Sequence, residues 1–217
     1  REEGDAAMTA KNYPEVVAKY SEYLKLTNYE DESRVFNCAF AAYNAKKYDD
    51  AIKFYDMAIQ KGYKTDDAYV GKAMSLRSQD KAADFTATVE AGLKANAQNA
   101  NLEKLLYAYC MKKGQAAQKA GKTEEAEELF KDVLVVGNAK YKGNALYSLG
   151  VMFYNAGAKI LADANPIATS DPDKYAAEKK KADAQMAKAK GYLEQAIALN
   201  AADANSKKIL DAINAAK

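Results

Sequence analysis

Apolar residues recur along the chain at three- and four-residue spacing, and no stretch sustains the alternation of a half-buried strand,. That pattern predicts helices and no sheet. The helices also repeat. Tyr48-Asp-Asp-Ala51-Ile-Lys-Phe-Tyr55-Asp-Met-Ala58-Ile59 and Gly121-Lys-Thr-Glu-Glu-Ala126-Glu-Glu-Leu-Phe130-Lys-Asp-Val133-Leu134 both read as a helix start followed by small, aromatic and small residues at i, i+4 and i+7. The frame also fits Val16, Tyr20, Tyr23 and Leu24, then Phe85, Val89, Gly92 and Leu93, and finally Ala189, Leu193, Ala196 and Ile197. In all five copies an aliphatic residue follows the third anchor. Helix breaks are predicted near Asn12, Lys47, Gln79, Gly121 and Asn165.

The repeating frame resembles the tetratricopeptide repeat family, built from helix pairs of 34 residues. Its consensus has small residues at repeat positions 8, 20 and 27 and an aromatic near 24. Position 8 here is Gly4, Ala39, Ala73, Gly114 and Gly150, small in every copy. The physical reason is close approach of the two helices of a pair. The usual Pro at position 32 is absent, replaced by Asn28, Tyr63, Ala97, Asn138 and Ala201. The resemblance implies an all-α fold, a right-handed α-solenoid of helix pairs in one domain. Its repeats would cover about 1–31, 32–65, 66–99, 100–140 and 141–203.

Spacing between the third anchors Tyr23, Ala58, Gly92, Val133 and Ala196 is 35, 34, 41 and 63 residues. The seven extra residues of the third interval are about two helical turns and return side chains to nearly the same face. The first helix of the fourth pair therefore lengthens to about Asn99–Ala120. The last interval contains Asn165-Pro-Ile-Ala-Thr-Ser-Asp-Pro-Asp173, a loop, and Asp171 before Pro172 is a helix start,. Both helices of the fifth pair are extended, with a hairpin at 157–188. The remaining residues, 204–217, carry Ile209, Leu210 and Ile213 on one helical face. They form a C-terminal cap helix that covers the open end of the stack.

Composition narrows the function classes. Of 217 residues, 49 % are hydrophobic and 29 % charged, which excludes a disordered chain,. No apolar run is long enough to insert in a membrane. A net charge of +2 argues against a dedicated nucleic-acid binder. There is no His, which removes Ser–His and Cys–His catalysis and imidazole metal sites,. Cys38 and Cys110 sit outside any CxxC and read as buried free thiols,. Gly137–Gly143 reads as a turn between pairs and matches no phosphate loop. The Lys-rich stretch 174–190 reads as a solvated helix face, and Glu124, Glu125, Glu127 and Glu128 as acids at a helix start. No cofactor and no metal site is expected. The first residue is Arg1, not Met. This favours an exported, periplasmic protein with its leader removed over a cytoplasmic one.

In the resembled family, particular first-helix positions line a concave groove that holds peptides. Those positions carry Phe36, Asn37, Phe40, Tyr43 and Asn44 in the second pair, Met74 and Arg77 in the third, Asn101 and Lys104 in the fourth, and Asn144, Tyr147 and Tyr154 in the fifth. Asn amides both donate to and accept from a peptide backbone, and aromatics offer contact area with few rotors. Binding by Phe36, Phe40 and Tyr43 with Asn37 and Asn44 should therefore depend only weakly on salt. One subtype holds chaperone C-termini in a carboxylate clamp. In that frame this chain has Arg1, Asp5, Asn37, Asp67 and Gly71, and two acids would repel a terminal carboxylate,. That partner is disfavoured. The sequence thus predicts a non-enzymatic module that binds a peptide or partner protein in the groove. The alternative is a structural scaffold that docks by its outer face or its extended hairpin.

Overall fold

The computed structural model describes residues 1–215, and among them it contains helices and turns but no strand. It divides into two compact units, the boundary falling after Leu105. Unit 1 holds three antiparallel pairs: α1 (Glu2–Thr9) with α2 (Tyr13–Leu26), α3 (Glu32–Asn44) with α4 (Tyr48–Gln60), and α5 (Thr65–Ser78) with α6 (Ala82–Ala95). The boundary lies inside α7 (Ala100–Lys119). Unit 2 continues with α8 (Thr123–Asp132), α9 (Ala139–Ala164), α10 (Pro172–Leu199) and α11 (Ala204–Ala215).

The anchors of the repeat frame are the core. Val16, Tyr20, Leu24, Ala51, Tyr55, Ala58, Phe85, Val89, Ala126, Phe130, Val133, Ala189, Leu193 and Ala196 are all buried. Position 8 explains the small residues. A β-carbon on Gly4 would stand 2.5 Å from the Tyr20 ring, and one on Gly150 would stand 2.6 Å from Leu193. In these pairs the large residue of the second helix fills the space that the glycine of the first leaves open,.

One kind of turn joins the two helices of each of the first four pairs. The α1–α2, α3–α4, α5–α6 and α7–α8 connections each place a residue in the left-handed region: Lys11 (φ 56°), Lys46 (59°), Asp80 (55°) and Gly121 (75°). The following amide then reaches back six residues inclusive. Asn12 N–H donates to Ala7 O (2.9 Å), Lys47 to Ala42 (2.8 Å), Lys81 to Leu76 (3.1 Å) and Lys122 to Ala117 (2.9 Å). This is a Schellman closure, which satisfies carbonyls at the helix end and lets the next helix start at once. Three of the four left-handed residues carry a β-carbon, so the fold holds them there against their intrinsic preference.

The fifth pair departs from this turn. Asn165–Ile167 is a short 3-10 turn after α9, and α10 starts at Pro172, where the Asp171 carboxylate accepts from Lys174 N–H at 3.1 Å. Both helices are long, 26 and 28 residues. Gly157 permits their approach, since a β-carbon there would come 3.0 Å from Ala182 O.

Gly137–Gly143 is not a turn throughout: α9 begins at Ala139, because Asn138 accepts from Tyr141 N–H (3.2 Å) and starts the helix early. Lys140 and Gly143 are therefore helical. The cap helix forms as α11, with Ile213 buried; Ala216 and Lys217, the end of the expected 204–217 span, lie outside the described residues.

Candidate functional site

In unit 1 the α3 side chains are partly occupied with packing. Phe36 is half-buried, edge-on to Tyr55 (5.8 Å between ring centroids) and Tyr63 (6.2 Å), with the Lys64 ammonium 5.1 Å from its ring. Tyr43 is half-buried against Tyr48. Phe40 is 43 % exposed, with one edge to Tyr13. Asn44 is exposed and turns its amide back to Phe40 O (2.8 Å), while Asn37 is half-buried on the same helix. Met74 and Arg77 on α5 are half-buried, and Asn101 and Lys104 on α7 are exposed.

The clamp position Asp5 is taken by the protein itself. Arg34 Nη2 donates to both Asp5 oxygens (3.0 and 2.9 Å), Nη1 donates to Asp31 (2.7 Å), and Tyr20 Oη–H donates to Asp5 (2.7 Å). The Tyr20 hydrogen bond holds the Asp5 carboxyl below its ordinary range. Burial opposes this, and Arg34 adds to it. Burial pushes Tyr20 up to about 12, with the Asp5 charge in the same direction,. The network ties α1, α2 and α3 together.

In unit 2 three predicted residues meet on one helix. Asn144, Tyr147 and Tyr154 lie on α9, and Asn144 Nδ2 donates to Tyr107 Oη (2.8 Å), whose ring stacks on Tyr141 with centroids 4.2 Å apart. Two adjoining cavities open beside them. One, of about 480 Å³, is lined by Lys140, Gly143, Asn144 and Tyr147 from α9 and by Leu199, Asn200, Asp203 and Asn205 from the far side. The other, of about 340 Å³, is lined by Tyr147 and Tyr154 and by Asn205, Lys208, Ile209 and Ala212 of α11. Tyr147 and Asn205 belong to both, so the two form one groove.

The α11 wall is what sequence reasoning missed. Asn205, Lys208, Ile209 and Ala212 follow i, i+3, i+4 and i+7 spacing, a signal present in the chain but read there only as end-covering. Asp203 fixes the wall. Its carboxylate accepts from Ser206 N–H (3.0 Å) and Ser206 Oγ–H (2.6 Å), which caps the first turn,.

Neither cysteine is poised as a nucleophile. Burial pushes the Cys38 thiol up to about 11 and the Cys110 thiol up to about 12, so both stay protonated at neutral pH,. Among the described residues no three Cys, Asp or Glu side chains gather as metal ligands, and no helix is long and apolar enough to cross a membrane.

A crystal structure of a TPR repeats protein from Bacteroides fragilis NCTC 9343 superposes with a TM-score of 0.93, at 44 % identity over 100 % of this chain and 96 % of that one. The chain belongs to the tetratricopeptide repeat family. Its helix pairs are tetratricopeptide repeats of the helical-solenoid kind. Lower likenesses are found to the P58(IPK) TPR domain (13 % identity, TM-score 0.46, 99 % of this chain and 64 % of that one). The TPR2AB domain of yeast Sti1 in complex with pHSP90 gives 14 %, 0.40, and 98 % and 95 %. No family model and none of the curated proteins matches this tetratricopeptide chain.

Proposed function

We infer that the protein is a non-enzymatic interaction module that holds a segment of a partner protein in the groove between α9 and α11. The tetratricopeptide fold in general mediates protein–protein interaction, but a fold does not supply a site. The observation that carries the reading is the shared position of Tyr147. It is half-buried and lines both adjoining cavities, with Asn205 lining both and Asn144 one of them. An apolar floor with a few oriented polar groups is what a recognition groove needs. Phe40 and Asn37 on α3 supply a second contact area in unit 1.

Affinity capture from extract of the organism that makes the protein tests this, with bound proteins identified by mass spectrometry. Tyr147→Ala with Tyr154→Ala should lose specific partners while helicity is kept. Asn37→Ala with Phe40→Ala reports separately on the α3 area. Partners retained by both variants but lost on substituting the exposed Lys174 and Lys180 would favour docking by the long hairpin instead.

A further inference from the structure

We propose that the segment held in the α9–α11 groove is acidic: an extended peptide that sets an apolar side chain against Tyr147 and directs carboxylates to Lys140 and Lys208. The proposal rests on the groove reading above and names its partner class. It starts from which charges at the groove are already used. Several other lysines are paired with acids on their own helix. In unit 2, Lys159 bonds Asp163 (2.8 Å), Lys179 bonds Asp183 (3.0 Å) and Lys181 bonds Glu178 (2.7 Å). Lys140 and Lys208 each line a cavity, both are exposed, and among the described residues neither has an acidic partner.

Acids at the groove are fewer than lysines. Among the described residues Asp203 is the one carboxylate lining either cavity, and both its oxygens accept from Ser206, which holds it at the start of α11 with its negative charge intact. Along α9 no acid occurs before Asp163. Next to the lining residues, Lys142 and Lys207 add positive charge and Asp211 adds one negative, so Lys140, Lys142, Lys207 and Lys208 face Asp203 and Asp211, four against two. A chain of nearly balanced total charge therefore carries a locally positive groove with an aromatic floor. Charge complementarity selects an acidic segment, and the floor selects an apolar neighbour on it.

A library of random octapeptides is selected on the full chain at low ionic strength. Enrichment of Asp and Glu next to aliphatic or aromatic residues is expected. The strongest peptide should bind roughly tenfold more tightly than its Asn/Gln counterpart, the scale of two partly exposed ion pairs. Added salt should shrink that advantage. Lys140→Gln with Lys208→Gln should remove it, and Ala212→Glu should abolish binding of the acidic peptide; all three positions are exposed, and unchanged circular dichroism shows the fold intact. Selected peptides without acidic enrichment that still require Tyr147 would overturn the partner class and leave the groove reading standing. Failure to select any peptide, or binding indifferent to Tyr147→Ala, would overturn both. Tyr147-dependent binding of a single-stranded oligonucleotide, stronger than that of the acidic peptide, would also overturn the proposal.

Discussion

A β-carbon on Gly114 would stand 2.6 Å from Cε1 of Phe130, so α7 and α8 meet where only a hydrogen fits. Gly114→Ala gains about 1 kcal/mol of helix propensity. It also forces the fully buried Phe130 ring off its seat, at a cost of roughly 1–3 kcal/mol,. The expected net is a loss of about 1 kcal/mol, read by urea denaturation. A gain in stability would mean that the ring moves aside freely and that the contact does not fix the pair.

Lys46 turns the α3–α4 corner at φ 59° although it carries a β-carbon. Lys46→Gly removes a left-handed strain of about 1–2 kcal/mol and adds about 0.4–1 kcal/mol of unfolded-chain entropy. The variant should be more stable by about 0.5–1 kcal/mol. Gly121→Ala, at the equivalent corner, should lose a similar amount. Opposite signs for the two in thermal melts are the test.

The Arg34 network sets the acid limb of stability. Asp5 is held below its ordinary range by the Tyr20 hydrogen bond first. Asp31 is opposed by burial, but the hydrogen bonds and charge of Arg34 outweigh it. Because both folded-state values are depressed, their contribution is complete above about pH 4 and is lost as pH falls through the folded values. Arg34→Met should lower stability at pH 7 by about 1–2 kcal/mol, discounted for the partial exposure of Asp5,. It should also flatten the fall in melting temperature below pH 4. An acid limb as steep as the parent's would show that other carboxylates set it.

A chain ending at Asp203 lacks α11, which buries Ile213 and Ser206 against the fifth pair. It should melt several degrees lower and self-associate, because an end repeat without a cap exposes apolar surface. Sedimentation velocity beside a thermal melt reports both. A monomer with the parent's melting temperature would show that the α9–α10 hairpin needs no cover.

Local chemistry carried most of the fold into the sequence. Helical spacing, the Ala51 and Ala126 anchors, the small residue at position 8 and the Asp171-Pro172 start are each decided within a few turns of chain, so they are readable without knowing what lies across from them. Where reading stopped short, a local signal met a competing one. Gly137 to Gly143 looked like a turn, yet the single Asn138 cap starts α9 inside it.

Exposure was decided only by tertiary structure. Phe36, Phe40 and Tyr43 share one side of α3 in the sequence. Tyr55, Tyr63 and Tyr48 cover two of them, and Phe40 is the one left exposed, at 43 %. On α9, spacing marked Asn144, Tyr147 and Tyr154, but the opposite wall comes from Asn205, Lys208, Ile209 and Ala212, 51 to 68 residues later in the chain. A helix's own period fixes which residues share a face. Whether that face meets another helix, or is held a side chain's width away from one, depends on crossings between distant segments.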